Sequence, residues 1–166
     1  AFFVYGFPVS AIKSNLNFNG GVTFNHTPSI INNLLNYSNS YATNAGAFIG
    51  SNISEKLDFS LGYTGNYTIV KNTVQKKSDN NYFSHAATFK INWLFLKGFV
   101  INTDVTHTLY NGLTQNFNQE YLLWNAYLGY KFLKNKSLET KVSVFDILNQ
   151  NRSLGRIVTG SYTEDY

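Results

Sequence analysis

Phe83-Ser84-His85-Ala86-Ala87-Thr88-Phe89-Lys90-Ile91-Asn92-Trp93-Leu94-Phe95 is the stretch on which the fold turns. Phe83, Ala87, Phe89, Ile91, Trp93 and Phe95 alternate with Ser84, Thr88, Lys90 and Asn92. A period of two puts successive side chains on opposite faces of a strand, so this segment is predicted to be a strand with one apolar and one polar face. Downstream, Phe99, Ile101, Val105 and Leu109 alternate with Asn102, Asp104, Thr106 and Thr108, and Leu122, Trp124, Ala126, Leu128, Tyr130 and Phe132 with Tyr121, Asn125, Tyr127 and Lys131. Upstream, Leu57, Phe59, Leu61, Tyr63, Tyr67 and Ile69 oppose Asp58, Ser60, Thr64, Asn66 and Thr68. Leu16, Phe18, Val22 and Phe24 oppose Asn15, Asn17, Asn19 and Thr23, and weaker alternation marks 41–53 and 138–144. Seven strands are legible, each about 10 to 14 residues long, which suits a tilted bilayer span better than a soluble strand.

The connections point the same way. Short turns are expected at 54–56, 96–98 and 133–137, and longer polar loops at 25–36, 71–81, 111–118 and from Asp146 onward. Short turns at one end and long loops at the other are the pattern of outer-membrane barrels. Register adds detail, because directly paired residues of antiparallel strands share a face. A three-residue turn Leu96-Lys97-Gly98, with Gly98 supplying the positive φ, would pair Phe95 with Phe99, Trp93 with Ile101 and Phe89 with Val105. Likewise 54–56 would set Ile53 opposite Leu57. The start at Ala1 to Val9 could supply an eighth strand, against which stands Pro8, which lacks a ladder donor.

Composition narrows the function classes. Aromatics make up 17% of the chain and charged residues 13%, so both faces must be built mainly from aromatic and uncharged polar groups. The net charge of +4 comes from scattered Lys and Arg, with local groups only at Lys76-Lys77 and around Lys131, Lys134 and Lys136. Nucleic-acid binding needs a basic face, so it is not expected. Without Cys there is neither a disulfide framework nor a Cys-held metal. No apolar run nears the roughly 20 residues of a transmembrane helix, so any crossing must be made by strands. The aromatics near strand ends, such as Phe83 and Phe95, Tyr67 and Phe59, or Tyr121 and Phe132, read as girdles at two membrane interfaces. His26, His85 and His107 show no ligand spacing, the carboxylates form no catalytic pair, and no nucleophile elbow or phosphate loop is present. Neither an enzyme nor a cofactor or metal is expected.

The assignment by residue is therefore lipid-facing for Phe59, Leu61, Phe89, Ile91, Trp93, Phe95, Phe99, Ile101, Val105, Trp124, Leu128 and Phe132. Lys90, Asn92, Asn102, Asp104, Thr106 and Asn125 are assigned to the lumen.

Phe145-Asp146-Ile147-Leu148-Asn149-Gln150-Asn151-Arg152-Ser153, followed by Arg156 to Asp165, resembles the C-terminal region of Bacteroidetes TonB-dependent receptor-type outer-membrane barrels. Tyr5-Gly6-Phe7-Pro8, Leu16 to Val22, Asn52 to Lys56, Asn92 to Val100 and Asn116 to Asn125 resemble the same family. The resemblance implies a plugged 22-stranded barrel in the bacterial outer membrane that imports a ligand with energy relayed by TonB. Residues 1–166 would be a C-terminal part of that all-β, antiparallel transmembrane barrel, without plug and without final strand. The implied partners are membrane lipid, the rest of the same barrel or polypeptide, the TonB system and a surface lipoprotein. An accessory barrel subunit of an outer-membrane assembly, transporting nothing itself, is the alternative.

Overall fold

The computed structural model describes residues 1–51, 53–112, 118–132, 137–151, 156–158 and 163–165. Their regular structure is all β apart from two single 3-10 turns, at Ser10–Ile12 and Lys76–Ser78. Eight strands form one antiparallel sheet in chain order: β1 (Phe2–Val9), β2 (Ser14–Ile31), β3 (Leu34–Ser51), β4 (Leu57–Asn72), β5 (Asn80–Phe95), β6 (Phe99–Asn111), β7 (Gln119–Phe132) and β8 (Leu138–Val144). β9 (Arg156–Val158) and β10 (Thr163–Asp165) pair with each other. The large sheet is open, since β1 and β8 each have a single neighbour.

Ladder register keeps the alternating sets intact from strand to strand. Phe95 pairs with Phe99, Trp93 with Ile101 and Phe89 with Val105, as the turn length predicts. One row runs Phe7, Leu16, Ile49, Leu61, Phe89, Val105, Trp124. Leu16 lies two residues past the turn-side end of β2, Leu61 four past that of β4, Val105 six past that of β6, and Trp124 eight before that of β7. Measured from the turn-side ends, the row therefore climbs from two residues on β1 to eight on β7 without reversing, an average of one residue per strand.

Four expectations are corrected. Phe2–Val9 does form an eighth strand, and Pro8 is tolerated there because it opposes Asn15 at a non-hydrogen-bonded pair, where β2 takes no donor from it. Residues 25–36 are not a loop: β2 and β3 run on to Ile31 and Leu34 and join through Asn32 and Asn33, with φ of 50° and 59°. Two left-handed residues make a tight hairpin turn, and Asn enters that conformation at low cost. Pro28 hid this reading, yet β1 reaches only Gly21, so β2 has one neighbour at Pro28. The segregation of short turns from long loops is thus broken at one connection of the loop end. At the β5–β6 turn the left-handed residues are Leu96 and Lys97, with φ of 42° and 63°, rather than Gly98. Glycine is required there for space, because a Cβ would lie 2.7 Å from the Lys131 carbonyl oxygen and 2.8 Å from the Tyr130 ring. Finally, the β3–β4 ladder runs in the register that would set Ile53 opposite Leu57 as far as Gly50 with Ser60, but the bridge nearest the turn pairs Ser54 with Leu57. Most of 111–118 and 133–137 falls outside the described residues.

Candidate functional site

The candidate functional surface is the sheet itself, and its residues can be placed on two faces from the ladder. Phe59, Leu61, Phe89, Ile91, Trp93, Phe95, Phe99, Ile101, Val105, Trp124, Leu128 and Phe132 all fall on one face. Lys90, Asn92, Asn102, Asp104, Thr106 and Asn125 all fall on the other. Tyr121 pairs with Thr108 on the polar face, so it cannot share a girdle with Phe132.

Burial is inverted relative to a soluble protein. Among the described residues eight side chains are buried: Val70, Val100, Ser14, Asn36, Ser38, Thr68, Asn72 and Thr108. All but Ser14 lie on the polar face. The apolar face instead exposes Leu61, Tyr63, Phe89, Trp93, Phe99, Trp124, Leu128 and Tyr130. The chain exposes 11239 Å², whereas a compact soluble protein of its mass exposes about 8300 Å².

Aromatic contacts on the apolar face gather at two levels. Near the turns, Trp93 packs on Phe95, Phe95 on Phe99 and Phe99 on Tyr130, at ring-centroid distances of 5.0, 5.8 and 4.8 Å. Towards the loops, Phe24 meets Tyr41 at 5.0 Å, His26 stacks on Tyr37 at 4.4 Å, and His85 touches Tyr63, Phe83 and His107. Ile91 and Ala126, each paired with Thr103, lie between. The Trp124 indole N–H donates to Thr103 Oγ1 at 2.8 Å, so the ring carries no orphan donor onto this face.

On the polar face Lys90, Asp104 and Asn125 form one row, and Asn125 Nδ2 donates to Asp104 Oδ2 at 2.9 Å. The other end of that amide holds the segment after β8: Asn125 Oδ1 accepts the Asp146 N–H at 2.9 Å. Asp146, itself left-handed at φ 48°, then accepts the amides of Gln150 and Asn151. Ile147 donates to the Trp124 carbonyl, and Gln150 Oε1 accepts the Leu122 N–H. This stretch thereby covers the edge of β7 beyond the reach of β8.

A second anchor, missed in the sequence, is Asn36, which is fully buried. Its amide nitrogen donates to Ser29 Oγ and Asn72 Oδ1, while its oxygen accepts the Val74 and Gln75 amides. It fixes the β4–β5 loop over the β2–β3 hairpin. Asp79 closes the same loop by accepting the Asn72 N–H at 2.7 Å, and Lys71 lies 3.5 Å away. The Asn72 amide, assisted by Lys71, holds the Asp79 carboxyl below its ordinary range against the opposing effect of burial. One polar Asn within an Asn-rich run gave no sequence signal for this role.

His107 Nε2 lies 2.9 Å from Glu120 Oε1 and its ring meets His85 edge-on at 5.1 Å. Among the described residues no group of three or more His, Cys, Asp or Glu could hold a metal ion. No helix is long and apolar enough to cross a membrane. Comparison with protein-family models, curated proteins and solved structures finds no match. The likeness to receptor barrels therefore stands on the motifs quoted above.

Proposed function

We propose that this chain is part of the wall of a bacterial outer-membrane β-barrel of TonB-dependent receptor type, which imports a ligand across that membrane. The observation that carries the reading is the burial pattern: among the described residues six polar side chains are buried, on β2, β3, β4 and β6, while large apolar ones are exposed on all eight strands. A bilayer outside and a wet or plugged lumen inside make that pattern favourable, where water on both sides would not. The stagger agrees. One residue per strand is about 3.3 Å along the strand against about 4.8 Å across, a tilt near 35°, which is what barrel closure requires. In this reading the edges of β1 and β8 pair with further strands of the same barrel. The import step, the TonB system and a surface lipoprotein rest on the motif resemblance alone.

Fractionation of cells expressing the full-length protein tests the barrel. It should sediment with the outer membrane, resist alkaline extraction and dissolve only in detergent. Recovery as a detergent-free soluble monomer would end the proposal. Nutrient-uptake profiles of a deletion strain and a TonB-deficient strain test the transport half, and the two should share a defect.

A further inference from the structure

We propose that the turn-end rim of the sheet is a binding site for the phosphate headgroups of anionic phospholipids, centred on Lys56 and Lys97. The inference rests on the barrel reading and adds which end of it grips the bilayer and by what chemistry. Among the described residues, three turns at this end each present a lysine: Lys13 between β1 and β2, Lys56 between β3 and β4, Lys97 between β5 and β6, all exposed. Glu55 is the single acid in these three turns. Beside two of the lysines stands an exposed aliphatic, Ile12 before Lys13 and Leu96 before Lys97, the latter 75% exposed. Apolar stem and cationic head side by side are what an interface between acyl chains and headgroups selects, since each part finds its own medium.

Backbone conformation strengthens the point. Lys13, Leu96 and Lys97 all hold positive φ, of 45°, 42° and 63°. Turn geometry favours Gly, Asn or Asp at such positions. Two lysines and a leucine in left-handed turns are thus not accounted for by turn geometry.

The turns also enclose space. The Leu94 N–H donates to the Lys56 carbonyl at 2.6 Å, which ties the β3–β4 turn to β5. Between them lies a groove of about 410 Å³ lined by Lys56, Leu94, Phe95, Leu96 and Lys97. Phe95 belongs at once to this groove and to the aromatic layer with Trp93 and Phe99. A smaller groove, about 340 Å³, opens beside Lys13. The groove sets two lysines beside apolar side chains, of which Phe95 continues onto the apolar face of the sheet, a combination complementary to a phosphate joined to acyl chains. At the loop end the cation comparable in position, Lys71, already faces Asp79.

The test uses the full-length protein in detergent and then in nanodiscs. Native mass spectrometry and lipid-exchange titration should show phosphatidylglycerol retained over phosphatidylcholine. Each lysine near an anionic surface contributes about fivefold, so Lys56→Gln with Lys97→Gln should weaken phosphatidylglycerol binding at least tenfold. The same pair changed to Arg should keep it, which separates loss of charge from misfolding. Lys76→Gln with Lys77→Gln at the loop end should change nothing. Unaltered binding in the Gln pair, loss in the loop-end pair, or displacement of the lipid by soluble glycerol phosphate at equal concentration would each overturn the proposal. Protein that enters nanodiscs without lipid preference removes this inference alone. Protein that does not enter removes the barrel as well.

Discussion

Ile91 and Asn92 are chain neighbours on opposite faces of the sheet. Ile91 pairs with Phe59 and Thr103 on the apolar face, four residues from Phe95 of the turn-side aromatic layer, while Asn92 pairs with Asp58 and Asn102 on the polar face. Near the middle of a bilayer an arginine on the lipid side costs about 2–4 kcal/mol. Ile91→Arg should therefore lower the unfolding free energy of the full-length protein in lipid vesicles by about that amount, and Asn92→Arg by less than about 1 kcal/mol. Denaturant titration followed by tryptophan fluorescence measures both, and equal losses would mean that the faces have been exchanged. Single residues of this kind were legible in the sequence because their side alternates strictly with position, and alternation needs no tertiary information. Asn36 was not, since its role depends on Asn72 and Val74, about 36 positions away, meeting it across β3 and β4.

Hairpins are the unit in which the sequence reading both succeeded and failed. The β5–β6 pairing follows from turn length and shared faces, whatever the conformation of the turn, so assigning the positive φ to Gly98 left the register untouched. The β2–β3 hairpin fails for the converse reason: Pro28 and a polar run mark a loop in a soluble protein, but on an unpaired edge with wet surroundings they are compatible with strand. Among connections, the β4–β5 loop carries a pH dependence. The Asp79 carboxyl is held below its ordinary value of 3.8, so its charged form favours the closed loop. That contribution is fully present above the ordinary value and fades as pH falls through the lower folded one. Hydrogen exchange at the Asn72 amide, corrected for intrinsic rates, should stay protected from neutral pH to about pH 4 and lose protection only below it. Asp79→Asn should remove the dependence, and loss of protection already at pH 6 would contradict the assignment.

At the scale of the molecule, the excess of exposed surface and the unpaired edges of β1 and β8 are one fact seen twice. Backbone groups along an unclosed edge would cost several kcal/mol each in hydrocarbon, so eight strands alone are not a viable membrane body. Residues 1–166 refolded by themselves into detergent should fail to show the heat-modifiable electrophoretic mobility of a closed barrel. Appearance of that shift, with β1 cross-linked to β8, would establish a self-contained small barrel instead. The sheet was readable from the sequence at this scale through the alternation of seven of its eight strands, and the structure leaves it open. One consequence reaches beyond the membrane plane. β2 and β3 continue past the point where β1 ends at Gly21 and where β4 leaves β3 near Ser38, and they close through Asn32 and Asn33 with their ladder unbroken. In the proposed barrel this paired tip, braced at Asn36 by the β4–β5 loop, would be a stiff projection in which a protease finds no slack chain to cut.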